Sequence, residues 1–503
     1  MDTSLMDRSS LRTPYYLTCK HGIILGLLTC LVTLLAGCAA VGPDYTPPTP
    51  TMPEAWHTPL DPVLNAREKM VLEWWKLYND PMLTLLVTEA SKGNLDLKEA
   101  VARVDEARAQ LGIALGEEVP SLDAEASISR YRTSSNNYGL GITKAQHAPG
   151  IAASWEIDLF GRIRRSVEAA GADFQATQED RTNVMISLYS NVALTYLDIR
   201  TYQARLAAAS ANINSQKQVQ ELTQSKFKYG LATSLDVAQA ERVLASSEAA
   251  VPPLRMALAK AINTMAVLLG RQPGALYTEL SKPEAIPLPP GNVTLGMPAD
   301  LLRQRPDIRK AERQLAAQTA RIGVAKADLY PSLSLTGSFG YESINTNDLF
   351  EPASNVFAFG PSLRWNIFSA NTIRNRVKAQ DAVARQYMLR YESTVLNALN
   401  EVENALRSYI EDRVRLGALK RAVDASRRSV ELSTQLYQQG LVNFQDVLDA
   451  QRDQFSFEND LASAQGASAA NFVRLYTALG GGWNPDDPTA PAPTLMDTVQ
   501  GKE

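Results

Sequence analysis

The sequence predicts an α+β membrane protein built from two copies of one unit, each pairing a very long coiled-coil helix with two strands. Three observations carry this expectation. First, "YGLATSLDVAQAER" (Tyr229 to Arg242) returns in the second half as "QGLVNFQDVLDAQR" (Gln439 to Arg452). "RAQLGIALGEEVPSL" from Arg108 likewise returns as "TARIGVAKADLYPSL" from Thr319, "WEIDLFGRIR" from Trp155 as "WNIFSANTIR" from Trp365, and Leu269-Gly270 as Leu479-Gly480. Solenoid repeats run about 20 to 50 residues, so a period this long marks duplication of a half-protein. Second, 162–229 and 371–439 contain no proline, and each has one glycine, Gly171 or Gly417. Third, four stretches at duplicated places alternate apolar and polar residues.

The elements follow in chain order. Arg8, Arg12 and Lys20 precede "GIILGLLTCLVTLLAGC", a secretory leader pattern rather than a membrane span. Asp2 and Asp7 are unusual in such a leader, and Met6 is an alternative start to Met1. The run ends in Leu35-Ala36-Gly37-Cys38, which resembles a bacterial lipobox. Residues 1–37 are therefore expected to be a lipoprotein signal peptide and Cys38 the lipidation site, carrying a diacylglycerol thioether and palmitate. Cys19 and Cys30 leave with the leader, so the mature chain has no disulfide although it enters an oxidising compartment. Ala39, where an Asp would retain a lipoprotein at the inner membrane, favours the outer membrane by the same resemblance.

Residues 38–81 form an N-terminal anchored segment. Repeat 1 spans 82–270: a helix from about Met82 to Glu118, strands about 121–132 and 149–160, a long helix 162–229 and a helix 231–269. A linker occupies 271–298. Repeat 2 spans 299–480: a helix from about Ala299 to Leu329, strands about 332–342 and 355–367, a long helix 371–439 and a helix 441–479; 481–503 is a tail. At 1.5 Å per residue each long helix is a rod of roughly 100 Å. Val395, Leu399, Val402, Leu406 and Tyr409 step by fours and threes, as do Met185, Tyr189, Val192, Tyr196 and Ile199. That is the 3.5-residue period of left-handed supercoiling. The two shorter helices of each half together match its long helix in length, so they are expected to stack end to end beside it.

In the strands, Leu122, Ala124, Ala126 and Ile128 oppose Asp123, Glu125, Ser127 and Ser129, and Ile151, Ala153, Trp155, Ile157 and Leu159 oppose Ala152, Ser154, Glu156 and Asp158. Leu333, Leu335, Phe339 and Tyr341 oppose Ser334, Thr336 and Ser338, and Phe357, Phe359, Leu363, Trp365 and Ile367 oppose Ser362, Arg364 and Asn366. Period two with one apolar face fits a transmembrane β-barrel. Four strands are too few to close one, because the smallest bacterial barrels have about eight. Unpaired edges in lipid cost several kcal/mol per group, so an obligate oligomer is expected.

"EWWKLYNDPMLTLLVTEASKGNLDL" (Glu73 to Leu97) and "MPADLLRQRPDIRKAERQLAAQTARIGVAKADLYPSL" (Met297 to Leu333) resemble the outer-membrane factor family of tripartite efflux systems. The likeness is to its OprM-like and NodT-like lipoprotein branch, with TolC a more distant relative. It implies a TolC-like homotrimer with a 12-stranded β-barrel, a long α-helical barrel crossing the periplasm, and an equatorial belt from 44–81, 271–298 and 481–503. It also implies two partners, a periplasmic adaptor (membrane fusion protein) and an inner-membrane RND-type pump. The function implied is passive exit of drugs or other small molecules. No cofactor is expected beyond the covalent lipid on Cys38.

The resemblance places the turns Gly230-Leu231 and Gly440-Leu441 at the adaptor end, and Asp446, Asp449 and Tyr437 at a closed periplasmic aperture. Asp446 and Asp449 lie i,i+3 on one helix face. A ring of such carboxylates would select cations; the alternative for Asp446, open also to Asp236, is helix capping. The altered middle, Ala238-Gln239 against Leu448-Asp449, is expected to separate outer wall from gate. A basic residue follows the turn glycine in some relatives; here Val442 stands at that place.

Two other classes fit less well. A lipid-anchored coiled-coil scaffold without a pore has no use for Asp123, Glu125, Glu156, Asp158 and Arg364 on a luminal face. An enzyme is disfavoured: no HExxH, GxSxG, P-loop or GxGxxG occurs, and His57 and His147 alone of the 3 histidines follow the leader. The net charge of −4 offers no basic stripe for nucleic acid.

Overall fold

Two helices dominate the computed structural model, which describes residues 40–59, 64–65, 71–136, 141–290, 293–368 and 370–484. Cys38, the leader and the end of the tail lie outside the described residues. In chain order the elements are β1 (Leu64–Asn65), α1 (Pro81–Gly93), α2 (Leu95–Gly116), β2 (Ser121–Arg132), β3 (Thr143–Ile157), α3 (Arg162–Lys228), α4 (Ser234–Ala249), α5 (Val251–Leu268) and α6 (Tyr277–Leu280). There follow β4 (Val293–Thr294), α7 (Leu301–Gln304), α8 (Pro306–Ala327), β5 (Ser332–Tyr341), β6 (Asn355–Arg364), α9 (Ala370–Gln439) and α10 (Phe444–Ala478). The long helices α3 and α9 run unbroken for 67 and 70 residues.

Four expected elements break or shift by more than three residues, each for a local reason, while the strand expected over 355–367 ends at Arg364 and the helix expected from 441 starts at Phe444. The helix expected over 82–118 is two, broken at Asn94, whose side-chain oxygen accepts the Leu97 N–H at 2.9 Å and starts α2 afresh. The helix expected from Ala299 breaks at Arg305, because the residue before Pro306 is held out of the helical region. The helix expected over 231–269 divides at Ala250, where Pro252 and Pro253 bring no N–H to the ladder. The strand expected over 149–160 is Thr143–Ile157: it pairs with β2 from Thr143, and Asp158 has left the sheet.

The chain forms two units. One comprises Arg108–Asp173 and Leu315–Tyr387 with the described residues before Pro48; the other comprises Pro48–Ala107, Phe174–Gln314 and the described residues from Met388. The first unit holds an antiparallel sheet in the order β2-β3-β5-β6. Its N-terminal segment is pinned, with the Val41 N–H on the Phe160 carbonyl at 3.0 Å and Arg165 on Asp44 at 2.5 Å.

The second unit holds the main core. Val192, Tyr196 and Ile199 of α3 and Val395, Val402, Leu406 and Tyr409 of α9 are buried in it, with Met185, Tyr189 and Leu399 packed at its edge. These are the residues of the two 3.5-period seams. Trp74, Leu83, Leu86, Ile262, Met265, Phe472 and Tyr476 complete the core.

The duplication is visible in its joints. Asn94 Nδ2 donates to the Leu268 carbonyl at 2.9 Å, and Arg305 Nη1 donates to the Ala478 carbonyl at 2.7 Å. Each bond ties the first turn of one short helix to the last turn of the other, the end-to-end junction expected from their lengths. Arg305 cannot cap as Asn94 does, so Asp307 takes over. Its Oδ1 accepts the Ile308 N–H at 2.9 Å, and its carboxylate holds the guanidinium at 2.6 Å.

The polar segments outside the repeats are tied to the long helices. Arg200, 1% exposed, pairs with Glu284, donates to the Lys282 carbonyl at 3.0 Å, and lies 4.8 Å over the Tyr196 ring. Glu403 accepts the N–H groups of His57 and Thr58 at 2.6 and 3.0 Å and the Thr58 hydroxyl at 2.6 Å. Burial pushes the Glu403 carboxyl up, but these three donors outweigh it and hold it below the ordinary carboxylate value. A depressed folded-state value means the clasp is at full strength above the ordinary carboxylate range and is lost as pH falls through the depressed one. Glu403→Gln at neutral pH should therefore speed amide exchange at His57 and Thr58. Charged hydrogen bonds are worth about 1.5–3 kcal/mol, roughly ten- to hundredfold in protection. Unchanged exchange there would refute the clasp.

Candidate functional site

In the sheet, register decides the chemistry of each face. Leu122, Ala124 and Ile128 of β2 stand opposite Ala153, Ile151 and His147 of β3. Ile151, Trp155 and Ile157 stand opposite Phe339, Leu335 and Leu333 of β5. Leu333, Gly337 and Phe339 in turn face Leu363, Phe359 and Phe357 of β6. Residues opposite one another share a face, so the apolar sets of all four strands merge into one surface. Phe357, Phe359, Leu363 and Ile128 are among the most exposed apolar side chains of the described residues. Such a surface on a soluble monomer would be a severe liability.

Asp123, Glu125, Ser334, Thr336, Ser338 and Arg364 lie on the opposite, polar face with Glu156, which grips Arg162 bidentately at 2.8 and 3.0 Å. Asp158, expected on that face, instead accepts the Arg164 N–H at 2.9 Å beyond the end of β3. Among the described residues β2 and β6 each have one partner strand, which leaves two free edges. Among the described residues no helix is long and apolar enough to cross a membrane.

The two repeated turns are built alike. Gly230 and Gly440 adopt φ of 73° and 76°, the left-handed region where a side chain is strained. Gly230 N–H donates to the Phe227 carbonyl at 2.9 Å and Leu231 N–H to Lys226 at 2.8 Å; Gly440 and Leu441 repeat this on Tyr437 and Leu436 at 3.1 and 2.9 Å. These are Schellman caps, which satisfy the last carbonyls of α3 and α9. Leu231 and Leu441 are left 73% and 67% exposed.

Between the turns lies a small core of Val219, Ala240, Tyr437, Phe444, Val447 and Leu448, with Val442 against it. Tyr437 packs on Phe444 with ring centroids 5.5 Å apart. Lys226 joins the copies, donating to the Tyr437 carbonyl at 2.5 Å and sitting 4.3 Å over its ring. Asp446 accepts the Asn443 N–H at 3.0 Å, as Asp236 accepts the Thr233 N–H at 2.8 Å, so both copies use this Asp as a cap. Asp446 remains exposed, as does much of Asp449, which pairs with Arg452 at 3.1 Å and accepts from Gln445 at 2.9 Å. Of the altered middle, Leu448 is a core residue and only Asp449 reaches the surface.

Sequence reasoning offered the cap on Asp236 and missed Lys226. The Thr233-x-x-Asp236 spacing was the available signal for the cap; nothing in the sequence pairs Lys226 with a tyrosine so far along the chain.

The model of the outer membrane efflux protein family matches residues 86–271 and 297–481, one match for each copy of the repeat. The chain belongs to this family. Nodulation protein T of Rhizobium leguminosarum bv. trifolii is 34% identical over 461 residues, 90% of this chain and 96% of that protein. Toluene efflux pump outer membrane protein TtgI of Pseudomonas putida is 32% identical, covering 90% and 97%. Cation efflux system protein CusC of Escherichia coli is 31% identical, covering 90% and 98%. The solved outer-membrane channel OprN superposes with a TM-score of 0.84 at 34% identity, covering 89% of this chain and 100% of that one. A CusC structure superposes at 0.76 and 30% identity, covering 88% and 100%.

The family fixes the class and the place. This outer membrane efflux protein is an exit channel of the outer membrane that extends into the periplasm, with a TolC-like α+β fold. Members are channels rather than enzymes, and they work with an adaptor and an inner-membrane pump.

Proposed function

We propose that three copies of this chain close their four-stranded sheets into one twelve-stranded barrel and their long helices into a periplasmic duct. The observation that carries this reading is the sheet itself: one continuous apolar face with two unpaired edges. Lipid can solvate the face and cannot satisfy the edges, so neighbouring copies must. The polar face then lines the lumen. Cys38 carries a lipid anchor, and no other cofactor is required. An adaptor grips the Gly230-Leu231 and Gly440-Leu441 turns, and an RND-type pump supplies the energy. The named relatives export toluene in one case and cations in another, so the duct is general and the pump selects the drug, solvent or ion. No chemistry is performed on the cargo.

The closed aperture lies at Tyr437, Asp446 and Asp449. Tyr437 packs on Phe444 in the core of that tip, and the exposed Asp446 and half-exposed Asp449 give it charge. Single-channel recording in planar bilayers tests both parts. The purified oligomer should conduct, and divalent cations should block it from the side bearing the tip. Asp446→Asn with Asp449→Asn should raise the blocking concentration several-fold. Asn replaces a carboxylate cap at a cost of about 1 kcal/mol or less, so the tip should stay folded. A silent oligomer would favour the scaffold reading, and unchanged block would refute the carboxylate ring.

A further inference from the structure

Beside the pinned N-terminal segment lies a cavity of about 620 Å³, lined by Val41, Gly42, Lys326, Tyr330, Arg374 and Lys378 among others. Three cations face it and, among the described residues, no carboxylate lines it. Among the described residues none of the three side chains has an ion pair or hydrogen bond, whereas Asp328, close to Lys326 in sequence, is taken by Arg376 at 2.8 Å. Solvated lysines on a surface would need no explanation. Here a second observation bears on the site, namely where its wall comes from.

The wall is the chain just after Cys38, and it is fixed in place. Val41 is bonded at both ends, its N–H to Phe160 at 3.0 Å and its carbonyl to Arg165 at 3.4 Å. Gly42 sits so close to α8 that a Cβ on it would lie 2.5 Å from the Gly323 Cα. Ala40, also in the wall, is two peptide units from Cys38, at most about 7 Å of chain. Any lipid on Cys38 must enter the bilayer next to this cavity. Its mouth therefore lies at headgroup depth, where Tyr330, stacked on Phe160 at 4.7 Å, also belongs.

We propose that this pocket binds the phosphate of a phospholipid headgroup in the leaflet that receives the Cys38 anchor. Lys326 and Lys378 act as point charges and Arg374 as a forked donor, the combination that suits a phosphodiester. Leu329 and Val377, also in the lining, offer an apolar floor to the glycerol and first methylenes. The depth of the pocket rests on the anchor reading above; its charge does not.

The test uses full-length protein purified in zwitterionic detergent. Phosphatidylglycerol is titrated in, and retained lipid is counted by native mass spectrometry, with the N-terminal peptide weighed from the same sample. Wild type should bind phosphatidylglycerol on the order of a hundredfold more tightly than the Lys326→Gln, Arg374→Gln, Lys378→Gln variant, at about tenfold or less per charge. Lys326→Arg with Lys378→Arg should retain the lipid, which separates lost charge from lost fold. Equal binding by wild type and the triple variant overturns the proposal, and so does displacement of the lipid by inorganic phosphate at equal concentration. An N-terminal peptide without lipid would fell the anchor reading alone, because the titration still decides whether the pocket binds.

Discussion

Gly270→Ala should be among the most damaging single-methyl changes in the second unit. Gly270 ends α5 at φ 69°, in a Schellman cap like those of Gly230 and Gly440. The conformation alone costs a non-glycine residue about 1–2 kcal/mol. What distinguishes Gly270 is its neighbour. A Cβ there would land on the Gly93 carbonyl, far inside van der Waals contact, and a Cβ on Gly93 would land on the Leu269 carbonyl. Both obstacles are backbone, so no side chain can turn away, and the α1–α5 joint held by Asn94 must open. Overpacking of this kind adds about 1–3 kcal/mol, giving roughly 2–5 in all. Gly230→Ala is the control, with nothing within 4 Å and φ 73°; it should lose only the conformational part. Heat-induced loss of helical circular dichroism in detergent would show the difference, and equal shifts for the two variants would refute the argument.

The same comparison explains how far the sequence could be read. Gly230 and Gly270 look alike in sequence, each a Leu-linked glycine repeated in the second half, and the repeat marked the first as a turn and the second as the end of a helix. Crowding at one and openness at the other depend on Gly93, which no local pattern ties to Gly270. The long helices were legible because proline is missing and a 3.5-residue seam persists, and both seams are buried as expected. The strands were legible because alternation is local, while their common apolar face needed the register. Helix breaks were harder. Pro306 was in plain view, yet the break at Asn94 depends on its bond to Leu268. The tip was half legible. Asp449 is the half of the altered middle that reaches the surface, while Leu448 beside it fills the tip core, and Asp446 caps its helix whatever else it does. Charge pattern identifies carboxylates; it does not separate a cap from a ring, because both uses place an Asp in the first turn.

Replacing Leu231 and Leu441 together by Asp should abolish efflux while leaving the folded oligomer intact. Large apolar residues at a turn normally pay their way by packing, and these two do not. They are 73% and 67% exposed, and each sits directly after a glycine around which a Cβ would meet nothing. The turn geometry is set by backbone bonds, Leu231 N–H to Lys226 and Leu441 N–H to Leu436, which an aspartate can make equally well. Stability should therefore change by no more than about 0.5 kcal/mol. Function should change far more. Two exposed leucines per chain, repeated in each copy of the proposed trimer, suit an apolar contact with the proposed adaptor, and burying an unpaired carboxylate there would cost several kcal/mol per site. Cells relying on this channel should lose drug tolerance to the level of a deletion, although the variant is exported, oligomeric and conducting in planar bilayers. Full tolerance with both substitutions present would remove the turns from the adaptor contact; loss of the oligomer would show instead that the leucines serve assembly.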